Sequence, residues 1–224
     1  MRAACPFAMF GPDNRYGQRV EDALRYEAAL RGGVVIKSVR YDPSEPSPTQ
    51  SAKLLAETVN IANEYTPGEI AVLIPERGVR LRSVAPLLPY YDVDINTVKL
   101  LGTGLWNTSE VWREPTLRGG VFPAPDPNVV NNFKTDVSNT KGDLKSELAP
   151  LGYDAAMMII AMQREDAVNR PSIEREDGFI GVNGLFRFRE DGTVERGLSV
   201  LQVVGDGRVR IIDSAIMSFE PSSF

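Results

Sequence analysis

The chain has 224 residues, 42% of them hydrophobic and 25% charged, a balance that supports a buried core in one large domain or two small lobes and excludes a disordered chain. Formal net charge is -5, and the 25 Lys and Arg residues are dispersed without a run that would track phosphates, which argues against nucleic-acid binding. Histidine is absent, which removes Ser-His-Asp and Cys-His catalysis and imidazole zinc sites. No close pair of carboxylates occupies an obvious turn or helix face, so no catalytic residue, metal site or cofactor is assigned, and the chain reads as a non-enzyme.

The single cysteine, Cys5, excludes an intrachain disulfide, and its apolar neighbours predict a buried strand thiol. No apolar run approaches the roughly 18 residues of a membrane span, and the first residues lack the apolar core of a signal peptide, so the chain as given reads as soluble.

Cys5 to Phe10 is an apolar strand, turned by Gly11-Pro12-Asp13-Asn14 into a helix from about Arg15 to Leu30, with Asp13 or Asn14 as N-cap. Val20, Ala23, Leu24, Ala28 and Leu30 form its apolar stripe, and Gly32-Gly33 ends it. Val34 to Tyr41 is the next strand. A proline-rich loop, Pro43 to Pro48, leads to a helix from about Thr49 to Glu64, with Leu54, Leu55, Val59 and Ile61 as its apolar positions. Glu69 to Pro75 contains AVLI, a run suited to a parallel strand covered on both faces. A helix from about Leu81 to Leu88 and a strand from Thr97 to Gly102 repeat the rhythm.

This alternation predicts right-handed crossovers and an α/β, doubly wound, mainly parallel sheet with flanking helices. Ligands of such sheets bind beyond the carboxyl ends of the strands. The loops Gly11 to Tyr16, Pro75 to Gly78 and Gly102 to Trp106 gather there and are the first site candidates.

After Phe122, Pro123-Ala124-Pro125-Asp126-Pro127 is a stiff connector of the kind that crosses between lobes. Val129 to Val137 reads as a helix and Ser138 to Lys145 as a loop. Tyr153 to Gln163 is an almost wholly apolar helix that expects partners on several sides, with Met157-Met158 as core filler. A short helix ends near Ser172 or Asp177. From about Phe179 the chain is β: GVNGLFRF, ERGLSVLQVV and RVRIID, joined at Asp191-Gly192 and Asp206-Gly207. Phe186 and Phe188 alternate with Arg187 and Arg189, giving one apolar and one charged face.

Within the candidate loops, Tyr16 offers a ring face and a hydroxyl to a cleft, or packs at a helix start. Trp106, in GTGLWNTSEVW, is either an exposed cleft ring or a half-buried loop anchor. Glu76-Arg77 can bind a zwitterion or carboxylate through Arg77, or form a solvated charge pair. Gly102-Thr103-Gly104 lacks the third glycine of a dinucleotide fingerprint, and Gly11-Pro12-Asp13-Asn14 lacks the Gly-Lys-Ser/Thr end of a phosphate loop.

The segment FAMFGPDNRYGQRVEDALRYEAALRGGVVIKSVRYDP resembles the opening of the second lobe of type I periplasmic binding proteins, the leucine/isoleucine/valine-binding family. GYDAAMMIIAM resembles that family's inter-lobe helix, and Gly181 to Val204 its late glycine- and phenylalanine-containing region. PERGVRLRSVAPLL and VKLLGTGLWN are similar to the subgroup that activates penicillin-binding proteins. The resemblance implies a two-lobed clamp around a small amino acid or peptide-like ligand, an ABC permease or a peptidoglycan synthase as partner, and a periplasmic location with a lipid anchor in a full-length form. By matching position, Tyr16, Glu76 with Arg77, Thr103, Gly104 and Trp106 are the cleft residues.

The chain departs from the family by lacking the first part of lobe one, with its amino-acid-binding serine and threonine loops, and so reads either as a fragment or as a natural short form that has lost clamping. The uncovered Tyr153 to Met162 helix then favours a homodimer. The implied domains are 1–122 as second lobe, 123–178 as crossing and first-lobe helices, and 179–224 as a β module of antiparallel hairpins. That module returns to edge the Cys5 sheet, with Phe186 and Phe188 in its core.

Overall fold

The structure is a computed structural model that describes residues 5–141 and 148–219. Its first part runs β1 (Pro6–Pro12), α1 (Arg15–Leu30), β2 (Val34–Tyr41), α2 (Thr49–Tyr65), β3 (Ala71–Leu73), α3 (Gly78–Val84), α4 (Leu87–Tyr90), β4 (Lys99–Leu101) and β5 (Val121–Ala124). It continues with α5 (Pro127–Lys141), α6 (Ala149–Arg164), α7 (Arg170–Ile173), β6 (Phe179–Gly181), β7 (Gly184–Phe188), β8 (Val194–Arg196), β9 (Ser199–Gly205) and β10 (Arg208–Asp213). The chain divides into two compact units, residues 1–122 with 201–210 and residues 123–200 with 211–224.

The first unit is built on a seven-stranded sheet of order β10-β9-β5-β4-β3-β1-β2. β1 pairs in parallel with β2 and β3, β3 with β4, and β4 with β5. This is the parallel, helix-flanked α/β sheet expected from the alternation of elements. Ala8, Met9, Phe10, Val72 and Ile74 are buried, as strands covered on both faces require.

α2 buries Ala52, Leu55, Ala56 and Val59, positions spaced by three and four residues along one face. Leu54 and Ile61, expected on that face, lie outside it and are exposed. In α1 the stripe is narrower than expected: Gly17 and Ala28 are buried while Leu30 is exposed. Gly17 has a steric reason, because a side chain there would run into the Pro12 carbonyl. Its absence lets the helix start press against the end of β1.

Several boundaries shift. Cys5 precedes β1 and is exposed, its Sγ 3.8 Å from the Glu69 carbonyl oxygen, because the apolar run is covered only from Pro6 onward. The Leu81 to Leu88 helix divides into α3 and α4 at Ala85-Pro86, where both residues keep helical backbone angles but Pro86 has no amide hydrogen to donate back into the helix. The loop expected at Ser138 to Lys145 is helical as far as Lys141, and its remainder lies outside the described residues.

In the second unit Asp154 of α6 is buried, and its carboxylate accepts hydrogen bonds from the Val182 and Asn183 amides at 2.6 and 3.1 Å and from Asn183 Nδ2 at 3.3 Å. The carboxylate thus caps the β6–β7 turn. A side chain at Gly181 would overlap it. The rings of Phe133 and Tyr153 meet at 4.9 Å. Most apolar positions of α6 nevertheless face outward, with Leu151, Tyr153, Met157, Ile159 and Ile160 exposed. Met157 is therefore not core filler, and the partners expected on several sides of this helix are missing among the described residues.

The C-terminal β region does not form one sheet. β6, β7 and β8 make a separate antiparallel sheet, while β9 and β10 join the large one. Phe186 is buried in the small sheet, and Phe188 beside it is half-buried. Neither closes the core of the Cys5 sheet, because the chain leaves one sheet for the other at Gly197-Leu198, between β8 and β9. The Asp206-Gly207 turn has positive φ at both residues, 55° and 73°, the mirror-image turn that suits hairpin twist.

Candidate functional site

The parallel order β2, β1, β3, β4 aligns four carboxyl ends in adjacent positions along one edge of the sheet. Loops leaving β1, β3 and β4, together with Tyr41 at the end of β2, therefore converge. Asn14 caps α1, its Oδ1 accepting the Gly17 amide at 2.9 Å. That cap fixes the start of the helix and sets Tyr16 on its first turn. The Tyr16 hydroxyl lies 3.0 Å from Thr103 Oγ1, joining the β1 loop to the β4 loop.

Thr103 Oγ1 also accepts the Leu105 amide at 3.4 Å, and Gly104 lies exposed between them. Trp106 is fully buried. Its Nε1 donates to the Ile74 carbonyl oxygen at 3.0 Å, the same oxygen that accepts the Glu76 amide at 2.9 Å. The indole thus ties the β4 loop to the β3 loop from below and offers no surface to a ligand.

Glu76 stands where β3 gives way to α3. Its Oε1 accepts the Tyr41 hydroxyl at 2.8 Å and its Oε2 accepts the Arg77 amide at 3.3 Å. Burial, followed by the hydrogen bond to Glu76 and that carboxylate's charge, pushes the Tyr41 phenol above its ordinary range, while Arg80 acts in the opposite sense. Tyr41 is consequently a fixed donor, and Glu76 is held as an acceptor. Arg77 is exposed and its guanidinium has no partner among the described residues. One turn further on, Arg80 lays its guanidinium over the Tyr41 ring at 5.0 Å and donates from Nη1 to the Pro46 carbonyl oxygen at 2.9 Å.

Tyr16, Glu76 and Arg77 line one cavity of about 420 Å³ with Pro12, Asn14, Pro43, Pro75, Arg80 and Leu105. The fold thus brings Tyr16, Glu76, Arg77, Thr103 and Gly104 to one edge and sets Trp106 beneath them. Tyr41 and Arg80 are the residues that sequence reasoning missed. The signal for Tyr41 was its place at the end of the strand beside β1; Arg80 had only its position one helical turn after Glu76. Chemically, the cavity offers one hydroxyl, one side-chain amide, one carboxylate and two guanidinium groups against proline and leucine surfaces.

No protein-family model matches the chain, and no curated protein matches its sequence. Its structure, however, is similar to a Rhodospirillum rubrum protein assigned to branched-chain amino acid ABC transport, with a TM-score of 0.75 and 19% identity over 93% of this chain and 61% of that one. It is also similar to a leucine binding protein from Thermotoga maritima, with a TM-score of 0.60 and 19% identity over 93% and 59% of the two chains. A Rhodopseudomonas palustris solute binding protein in complex with benzoate gives 0.64 and 13% over 98% and 61%. The chain spans about three fifths of the length of these proteins. Over that length it has the fold of the type I periplasmic binding proteins.

Proposed function

We propose that the chain is part of a solute-binding protein serving an ABC uptake system and that it takes a small amino-acid-like ligand at the carboxyl edge of the large sheet. The observation that carries this reading is the convergence of Tyr16, Glu76, Arg77 and Thr103 on one edge, three of them lining a single cavity. Glu76 is oriented to accept from a ligand ammonium group, and the Arg77 guanidinium, unpaired among the described residues, to bind a carboxylate. Tyr16, Thr103 and Gly104 supply hydroxyls and close backbone approach, with Trp106 supporting their loop. The solved structures similar in fold include proteins described with leucine and benzoate, which supports a solute as ligand. The same reading gives the protein an extracytoplasmic location and no catalytic activity. No described helix is long and apolar enough to cross a membrane.

Two-dimensional ¹⁵N–¹H correlation spectra recorded during titration with amino acids and small carboxylates test the proposal, because such spectra register weak binding. Amide resonances of residues 14–17, 76–80 and 103–105 are expected to move together. Saturating ligand should also raise the melting temperature, since a ligand at one hundred times its dissociation constant stabilises by about 2.7 kcal/mol. Stationary spectra across the panel would remove the reading.

A second reading, a module that activates a peptidoglycan synthase, rests on the resemblance of Pro75 to Leu88 and on the exposed apolar side chains of α6, which offer a contact surface. Capture of the synthase by the full chain without added ligand would favour it. The same α6 surface supplies the contact for self-association, and a monomer mass in light scattering would remove that homodimer.

A further inference from the structure

We propose that Arg80 is a ligand-binding residue and that the cavity therefore prefers an amino acid carrying a second carboxylate over a branched-chain one. The proposal rests on the solute-binding reading and narrows its substrate class.

Three charged side chains line the cavity: Glu76, Arg77 and Arg80. An ordinary amino acid satisfies two of them, its ammonium group on Glu76 and its carboxylate on Arg77. Arg80 is left over, and its bonding is incomplete. Nη1 is committed to the Pro46 carbonyl oxygen and the guanidinium face to the Tyr41 ring. Nε and Nη2, however, are buried without a hydrogen-bond partner among the described residues. These two nitrogens form one edge of the guanidinium, the edge that binds a carboxylate through two parallel hydrogen bonds.

No acid among the described residues hydrogen-bonds those two nitrogens. Asp42 Oδ1 accepts the Ser44 amide at 2.8 Å and the Ser44 hydroxyl at 2.7 Å. Glu76 Oε1 holds Tyr41 and Oε2 holds the Arg77 amide. A buried cationic donor without an acceptor is costly, whereas the same donor paired with a carboxylate is favourable. Arg80 already lines the cavity, and a turn of its long side chain that gives up the Pro46 carbonyl oxygen and the Tyr41 ring brings the buried Nε and Nη2 edge to a bound group. Pro12, Pro43, Pro75 and Leu105 then enclose the methylenes between the ligand's two carboxylates. A branched aliphatic side chain in the same place would leave Nε and Nη2 unpaired against hydrocarbon, which selects against it.

The test compares L-glutamate, its neutral isostere L-glutamine, and L-leucine by ¹⁵N–¹H titration of the full chain, following the Arg80 Nε–H resonance as well as the amides. The expected result is at least about tenfold tighter binding of glutamate than of the other two, with the Nε–H resonance moving for glutamate alone. In Arg80→Gln the affinity ratio of glutamate to glutamine should fall to about one. Equal binding of glutamine or leucine with a stationary Nε–H resonance overturns the role of Arg80 and leaves solute binding intact. No response to any of the three overturns both. Should Arg80→Gln fail to fold, the wild-type comparison of glutamate with glutamine decides alone.

Discussion

Replacing Gly102 by alanine isolates the packing that holds the site edge together. Gly102 has no positive φ, so alanine meets no backbone strain, and reduced freedom of the unfolded chain alone would stabilise by about 0.4–1 kcal/mol. Sterics oppose this. A methyl group at this position would overlap the Trp106 indole, which is fully buried and also lies against Gly120. Nor can the backbone retreat, because the Gly102 amide donates to the Val121 carbonyl oxygen at 2.8 Å.

The indole must move instead, at an overpacking cost of about 1–3 kcal/mol and with loss of the Nε1 hydrogen bond to Ile74, worth about 1 kcal/mol. The net expectation is a destabilisation of about 2 kcal/mol, which for a chain of this size lowers the melting temperature by about 4–8 °C. Thermal unfolding followed by far-ultraviolet circular dichroism measures the shift, and tryptophan emission, moving to longer wavelength, reports displacement of the ring. A variant that melts and emits like wild type would refute the packing argument, and with it the claim that Trp106 supports the Thr103–Leu105 turn.

Tyr41→Phe removes the hydroxyl that orients Glu76 and should cost about 1 kcal/mol; thermal melts measure the loss, and weaker binding of a ligand ammonium group should accompany it in titration. Asp154→Asn places an amide NH₂ among donors that need a carboxylate, so a loss of about 2 kcal/mol is expected, read from the urea midpoint. At Glu195, burial favours the neutral acid, but hydrogen bonds from Arg187 and Arg189 outweigh it and hold the carboxyl below the usual value near 4.5. A depressed folded-state value means that its stabilising contribution is present above about pH 4.5 and lost as pH falls below it. Glu195→Gln should therefore lower stability at neutral pH by less than about 1 kcal/mol, since both arginines are solvent-screened. The difference from wild type should close in acid, and urea unfolding at a series of pH values would show it.

How much of the site was legible follows from chain locality. Tyr16, Glu76, Arg77, Thr103 and Gly104 could be nominated because each sits just after an apolar run, and a parallel sheet collects such positions at one edge. Tyr41 obeys the same rule but reads as the last apolar residue of its strand; only the Glu76 contact, 35 positions along the chain, reveals its role. Arg80 looks like any helix-surface arginine until the Tyr41 ring is found beneath it. Trp106 shows the converse, since its glycine-rich surroundings suggest exposure, while the fold uses those glycines to admit the indole into the core.

Sequence by itself determined the alternating elements of the first 122 residues and the parallel α/β sheet, because hydrophobic period, turn residues and crossover handedness are local or nearly local properties. It also determined the two hairpin turns of the late β region. Tertiary structure alone decided that this region divides between two sheets, since alternation marks a strand and its faces without naming the neighbour. It likewise decided that α6 leaves most of its apolar side chains uncovered while burying the one carboxylate in its centre. Burial depends on what packs against a helix, and hydropathy records only what the helix would accept.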